Sequence, residues 1–108
     1  KVASAQLIAQ KCPGLSCFKL NVDGSALGKS GMAGGGGIIR DHEENVVAGF
    51  YHTYGKTTNK IVEMRVLHDG LLLCKREGFY DIVIESDSKV VVDWIHKKRC
   101  DHWYLWDY

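Results

Sequence analysis

Residues Asn59–Asp87 read NKIVEMRVLHDGLLLCKREGFYDIVIESD, and two periodicities meet within them. Val62, Val66, Gly70 and Cys74 recur every fourth position, flanked by Leu67, Leu71 and Leu73, which predicts an amphipathic helix over about 59–77 packed on a sheet. Asn59 is the expected N-cap and Gly78 the expected stop. Past Gly78 the period becomes two, with Ile82 and Ile84 alternating against Val83, Glu85 and Asp87, which is a strand. A helix of about five turns between two strands is a crossover connection, so the strand after it should lie parallel to its neighbour.

The neighbour is found by reading toward the N-terminus. Phe18–Ser25, FKLNVDGS, alternates Phe18, Leu20 and Val22 against Lys19, Asn21 and Asp23, and this strand is expected to end at Asp23-Gly24. A glycine-rich connection through Gly28, Gly31 and Gly34 to Gly37 then leads into GIIRD, and VVAGFYHTY follows the polar turn DHEEN. Short connections between these strands predict an antiparallel meander. After the fourth strand, Val91, Trp94 and Ile95 stand at helical spacing, with Ser86 or Ser88 as cap. The fold class is α/β (α+β, mixed sheet): three antiparallel strands, a crossover helix, and a fourth strand parallel to the first. One domain over 17–108 is expected, with 1–16 as a linker or N-terminal extension.

Composition sets the bounds. The 108 residues are 45% hydrophobic and 25% charged with a net charge of +1, the profile of one soluble globular domain with no overall basic field. Any nucleic-acid contact must come from local patches such as Lys97, Lys98 and Arg99. Cys12, Cys17, Cys74 and Cys100 lack the paired spacing of a zinc site and read as free thiols in a reducing compartment. No apolar run reaches membrane-span length and the first residues lack a signal-peptide core, so the expectation is an intracellular protein, nucleus or cytoplasm left open.

Within this fold, Asp23 and Asp87 emerge at the carboxyl ends of adjacent parallel strands, where open sheets place ligands. Glu63 stands beside the buried stripe of the helix, in what is expected to be its first turn. Two carboxylates about 4 Å apart repel by roughly 4 kcal/mol at an effective dielectric of 20, so both remain ionised only with a cation between them. Mg2+ or Mn2+ suits an all-oxygen donor set, and metal-assisted phosphoryl chemistry follows.

The segments NVDGS, AGGGGIIRD, TNKIVEMRVLHDGL and IESDSKVVVDWI, in this order from about Phe18 to about Ile95, resemble a type 1 ribonuclease H domain, in particular the plant ribonuclease H-like domains associated with retroelements. The resemblance implies a mixed five-stranded sheet and metal-dependent endonucleolytic cleavage of the RNA strand of an RNA-DNA hybrid. It makes Asp23, Glu63 and Asp87 the first three members of an acidic tetrad and catalytic metal ligands. Nucleic-acid contacts are assigned to Gly24, Ser25, Asn59, Lys97, Lys98 and Arg99. The family continues into a final strand and helix that are missing here, and neither Asp101 nor Asp107 lies in the context of the fourth acid. An uncovered apolar sheet face is then expected, open to self-association or to cover by the N-terminal segment or the WYLWDY tail.

The glycine run reads better as a closely packed strand than as a phosphate loop, and Trp94 better as core than as a base-stacking platform. The basic run fits a helix C-terminus as well as a nucleic-acid backbone. Two functional readings follow: a ribonuclease acting on RNA-DNA hybrids, or a catalytically inactive module of the same fold that binds nucleic acid or a protein partner.

Overall fold

A computed structural model describes residues 17–27, 31–79 and 81–100, and within them every side chain except those of Leu27 and residues 98–100. Strands β1 (Phe18–Leu27), β2 (Met32–Arg40) and β3 (Val46–Lys56) precede helix α1 (Asn59–Glu77), strand β4 (Ile82–Glu85) and helix α2 (Lys89–Cys100). The sheet order is β3-β2-β1-β4. β1 to β3 form the expected antiparallel meander, and β4 pairs parallel with β1, from Phe18 opposite Ile82 to Asn21 opposite Glu85.

The stripe predicted for α1 is the one buried: Val62, Val66, Leu67, Gly70, Leu71, Leu73 and Cys74. They pack on Leu20 and Val22 of β1, Ala33 and Ile39 of β2, and Ile82 and Ile84 of β4, and Val91 and Ile95 of α2 join the same cluster. Trp94 packs half-buried at its margin, as expected of a core residue. Gly70 sits against Leu20, where a Cβ would be 3.0 Å from Cδ2, so the missing side chain lets the helix lie close on the sheet. Burial raises the Cys74 thiol to about 12, which leaves it protonated and inert. The free-thiol expectation therefore holds at Cys74 and fails at Cys17, which is disulfide-bonded.

Three boundaries differ from the sequence expectation. β1 does not end at Asp23-Gly24, because Gly34 to Gly37 belong to β2, as the closely packed strand reading expects and the connection reading does not: Asp23 pairs with Gly36, Gly24 with Gly35 and Ser25 with Gly34, which carries β1 to Leu27. The N-cap of α1 is Thr58, whose side chain accepts from Ile61 N at 3.3 Å. Asn59 is used otherwise, its Oδ1 accepting from Ala26 N of β1 at 2.7 Å. With the helix beginning at Asn59, Glu63 is its fifth residue and no acid occupies the first turn, so Glu63 stands past the turn in which it is expected and gains little from the helix dipole. Gly78 ends α1 as expected, in the left-handed region at φ 80°.

The face of the sheet away from α1 carries Lys19, Asn21, Asp23, Ser25 and Glu85 beside exposed Ile38, Met32 and Tyr51. It is mixed rather than the continuous apolar surface expected, because the β1 and β4 positions on that side are polar. Among the described residues no helix is long and apolar enough to cross a membrane. The readings placed on residues 1–16, Gly28, Asp101, Trp103, Tyr104, Trp106 and Asp107 lie outside the described residues.

Candidate active site

The site arises from a mismatch in strand length. β4 has only four residues and ends at Glu85, whereas β1 continues to Leu27 on the strength of its pairing with β2. From Val22 onward the β4 side of β1 is therefore open. Asp23 stands there, two residues past the Asn21–Glu85 rung on the face away from α1, and Asp87 stands two residues past the same rung in the bend leading to α2.

Asp23 and Asp87 are both exposed and line one open cleft of about 610 Å³. Gly24, Ser25 and Asn21 share its wall, Gly34 to Gly37 form its floor, and Phe50 and Tyr51 stand along the β3 side. Glu63 does not line this cleft. It is half-buried and lines a narrow crevice behind β1 with Asp23, Ser86 and Ser88. Gly24 makes that approach possible, since a Cβ there would be 2.8 Å from Val66 Cγ2 and 3.5 Å from Val62 Cγ2, so α1 rests against bare backbone. Ser86 and Ser88 are buried and shape the turn behind Asp87: Ser86 Oγ accepts from Ser88 N at 3.0 Å and Ser88 Oγ from Val91 N at 3.3 Å, so both candidate caps are used.

Among the described residues, none of the Asp23, Glu63 and Asp87 carboxylates is committed to a hydrogen bond or an ion pair. Their neighbours are. Glu44 pairs with Lys19 at 3.0 Å, Glu85 accepts from Asn21 at 3.0 Å, Asp93 pairs with Lys89 at 2.9 Å, and Asp69 is held by Tyr54 and His52. The Glu44 hydrogen bond, helped by the charges of Glu85 and Glu44, raises the Lys19 amine above its ordinary value and keeps that pair ionised.

The donor set fits a hard divalent cation. It is all carboxylate oxygen, with Asp23 and Asp87 facing the open cleft and none of the three acids partnered among the described residues. Among the described residues no three His, Cys, Asp or Glu side chains come together in a group that could hold a metal ion. An ion such as Mg2+ is ordinarily held by one or two carboxylates together with waters and substrate phosphates, so a two-carboxylate cleft with a third acid behind it suits that mode.

Of the residues predicted to contact nucleic acid, Gly24 and Ser25 line the cleft. Asn59 does not, being tied to Ala26, and Lys97 is exposed on α2 away from it. The side chains of Lys98 and Arg99 lie outside the described residues. Sequence reasoning missed Asn21 and Glu85, although each stands two positions before a singled-out aspartate and so on the same strand face.

Residues 21–105 match the family described as reverse transcriptase-like. A ribonuclease H from Actinobacillus succinogenes is 31% identical over 92 residues, covering 80% of this chain and 56% of its own length. The N-terminal ribonuclease H domain of a Mycobacterium tuberculosis protein, solved as a fusion with maltose-binding protein, superposes with a TM-score of 0.70 at 28% identity, over 76% of this chain and 60% of that one. LC11-RNase H1, solved in complex with an RNA/DNA hybrid, gives 0.68 at 25% identity, over 74% and 61% of the two chains. The chain thus spans little more than half the length of the curated relative it matches. With a mixed sheet shared with these domains and a family match over most of its length, the chain belongs to the reverse transcriptase-like family of ribonuclease H-type domains.

Proposed function

We propose that this chain is the carboxylate-bearing core of a domain that hydrolyses the RNA strand of RNA-DNA hybrids with Mg2+ or Mn2+. The observation that carries the reading is that Asp23 and Asp87, both without a partner among the described residues, line one cleft just past the last β1–β4 rung, while Glu63 and Asp23 line a narrow crevice behind it. The relatives named ribonuclease H, and the hybrid bound by LC11-RNase H1, support the substrate class.

A divalent cation, when bound, supplies Lewis-acid polarisation of the scissile phosphate and a more acidic water. Asp23, on β1, and Asp87, in the bend after β4, would hold the cation from two elements. Glu63 adds negative charge from the opposite side of β1. Gly24 offers the cleft only main-chain atoms, its missing Cβ facing α1, and the exposed Ser25 hydroxyl beside it offers a hydrogen bond to a sugar-phosphate backbone. Recognition by backbone and 2′-hydroxyl contacts suits a cleft floored by glycine, which has no side chains to read base edges.

The test is cleavage of a labelled RNA-DNA hybrid in Mg2+ or Mn2+ by the native chain, Asp23→Asn and Asp87→Asn. Cleavage by the native chain that is lost in both variants supports the reading. A folded native chain that binds the hybrid and leaves it intact overturns it in favour of a binding module.

A further inference from the structure

The segments Asn21–Asp23 and Glu85–Asp87 have the same form, a polar residue two positions before an aspartate, and the parallel ladder sets them side by side. Asn21 Nδ2 donates to Glu85 Oε1 at 3.0 Å, and these two residues form the last rung between β1 and β4. Past that rung no backbone pairing joins the strands, and no described side chain links Asp23 to Asp87.

Building on the metal-dependent reading above, we propose that Asn21 and Glu85 are positioning residues, whose side-chain hydrogen bond clamps the ends of β1 and β4 and sets the separation of Asp23 and Asp87. A four-residue edge strand would otherwise fray at its end, and a fraying end would carry Asp87 with it. The bond is part-buried, and an amide donating to a carboxylate makes a stronger bond than one between neutral groups. Lys19 Nζ, 3.0 Å from Glu44 Oε2 and 4.0 Å from Glu85 Oε2, braces the second oxygen of Glu85 and leaves Oε1 to Asn21. This commitment separates Glu85 from Asp23 and Asp87, which share its cleft with their oxygens unspent. An amide at position 21 is the apt partner, because it donates to a carboxylate without bringing a positive charge beside the place where a cation is to bind.

The test is a Mn2+ titration of the full chain, followed by paramagnetic broadening of the Asp23 and Asp87 amide resonances. Native protein is compared with Asn21→Leu, Glu85→Leu and Glu85→Gln, and thermal melts verify that each is folded. Leucine keeps the bulk and removes the bond, whereas glutamine keeps the acceptor and removes the charge. The expected result is an apparent Mn2+ affinity about 10-fold weaker in both leucine variants, restored to within about twofold in Glu85→Gln. Native affinity in both leucine variants overturns the clamp and leaves the metal reading standing. Glu85→Gln as weak as Glu85→Leu overturns it by showing that Glu85 acts through charge. No Mn2+ binding by the folded native chain overturns the metal reading and the clamp with it.

Discussion

Gly35 of β2 lies directly beneath Val66 of α1: a Cβ on Gly35 would stand 2.6 Å from Val66 Cγ2 and 2.6 Å from the backbone oxygen of Asp23. The helix reaches the sheet only because this position has no side chain, and the same contact sets the strand that carries Asp23. Gly35→Ala is therefore expected to cost about 1 to 3 kcal/mol through overpacking and to depress hybrid cleavage by displacing Asp23. Gly34→Ala is expected to be milder, because the added methyl would meet the hydroxyl of Tyr51, the movable end of an exposed side chain. Denaturant unfolding and cleavage assays on the two variants check the contrast.

Asp23→Asn and Asp87→Asn should separate stability from activity. Both carboxylates are exposed and without partners among the described residues, so each substitution is expected to change unfolding free energy by no more than about 0.5 kcal/mol. Cleavage should nevertheless be lost. Melting curves recorded on the samples used for the cleavage assay test this, and a large fall in melting temperature would contradict the picture of uncommitted ligands.

Asp69 of α1 ties down the edge strand β3, accepting from Tyr54 Oη at 2.5 Å with His52 Nδ1 3.0 Å from the same oxygen. Burial works against its ionisation, but the bonds from Tyr54 and His52 outweigh it and bring the carboxyl below its ordinary value of 3.8. Burial, then the hydrogen bond and charge of Asp69, push the Tyr54 hydroxyl well above its ordinary value of 10.0. A lowered acid contributes stability above its unfolded value, lost as pH falls through the folded one, and a raised phenol contributes stability below its unfolded value, lost as pH rises through the folded one. Unfolding free energy should thus be flat in these two contributions between about pH 4 and pH 10 and decline on either side. Tyr54→Phe should remove the alkaline decline and weaken the acid one, which denaturant melts across this range will show.

The start of α1 makes two separable contacts. Thr58→Ala removes the cap on Ile61 N and is expected to cost about 1 kcal/mol. Asn59→Ala leaves the cap and strips Ala26 N of its acceptor, a loss of about 1 kcal/mol. Because Ala26 and Asn59 belong to different elements, only the second should increase amide exchange at Ala26. Hydrogen exchange distinguishes them.

The period of the apolar residues alone identified the buried stripe of α1, the alternation in β1 and β4, and the parallel pairing that brings Asp23 near Asp87. These are properties of single elements and of a connection long enough to cross over, so they are readable along the chain. Gly34 to Gly37 could be read both as part of a connection and as a closely packed strand because glycine carries no pattern of its own, and the strand was decided by β1 and β3 pairing on either side and by Val66 pressing from above. The cap falls to Thr58 instead of the expected Asn59, whose side chain Ala26, distant in sequence, claims. The order of acids along the chain likewise shows nothing of which are already paired. Asp69 and Glu85 are spent on partners brought by other elements while Asp23, Glu63 and Asp87 have none among the described residues, a distinction that depends on distances between strands and helices and so came only with packing.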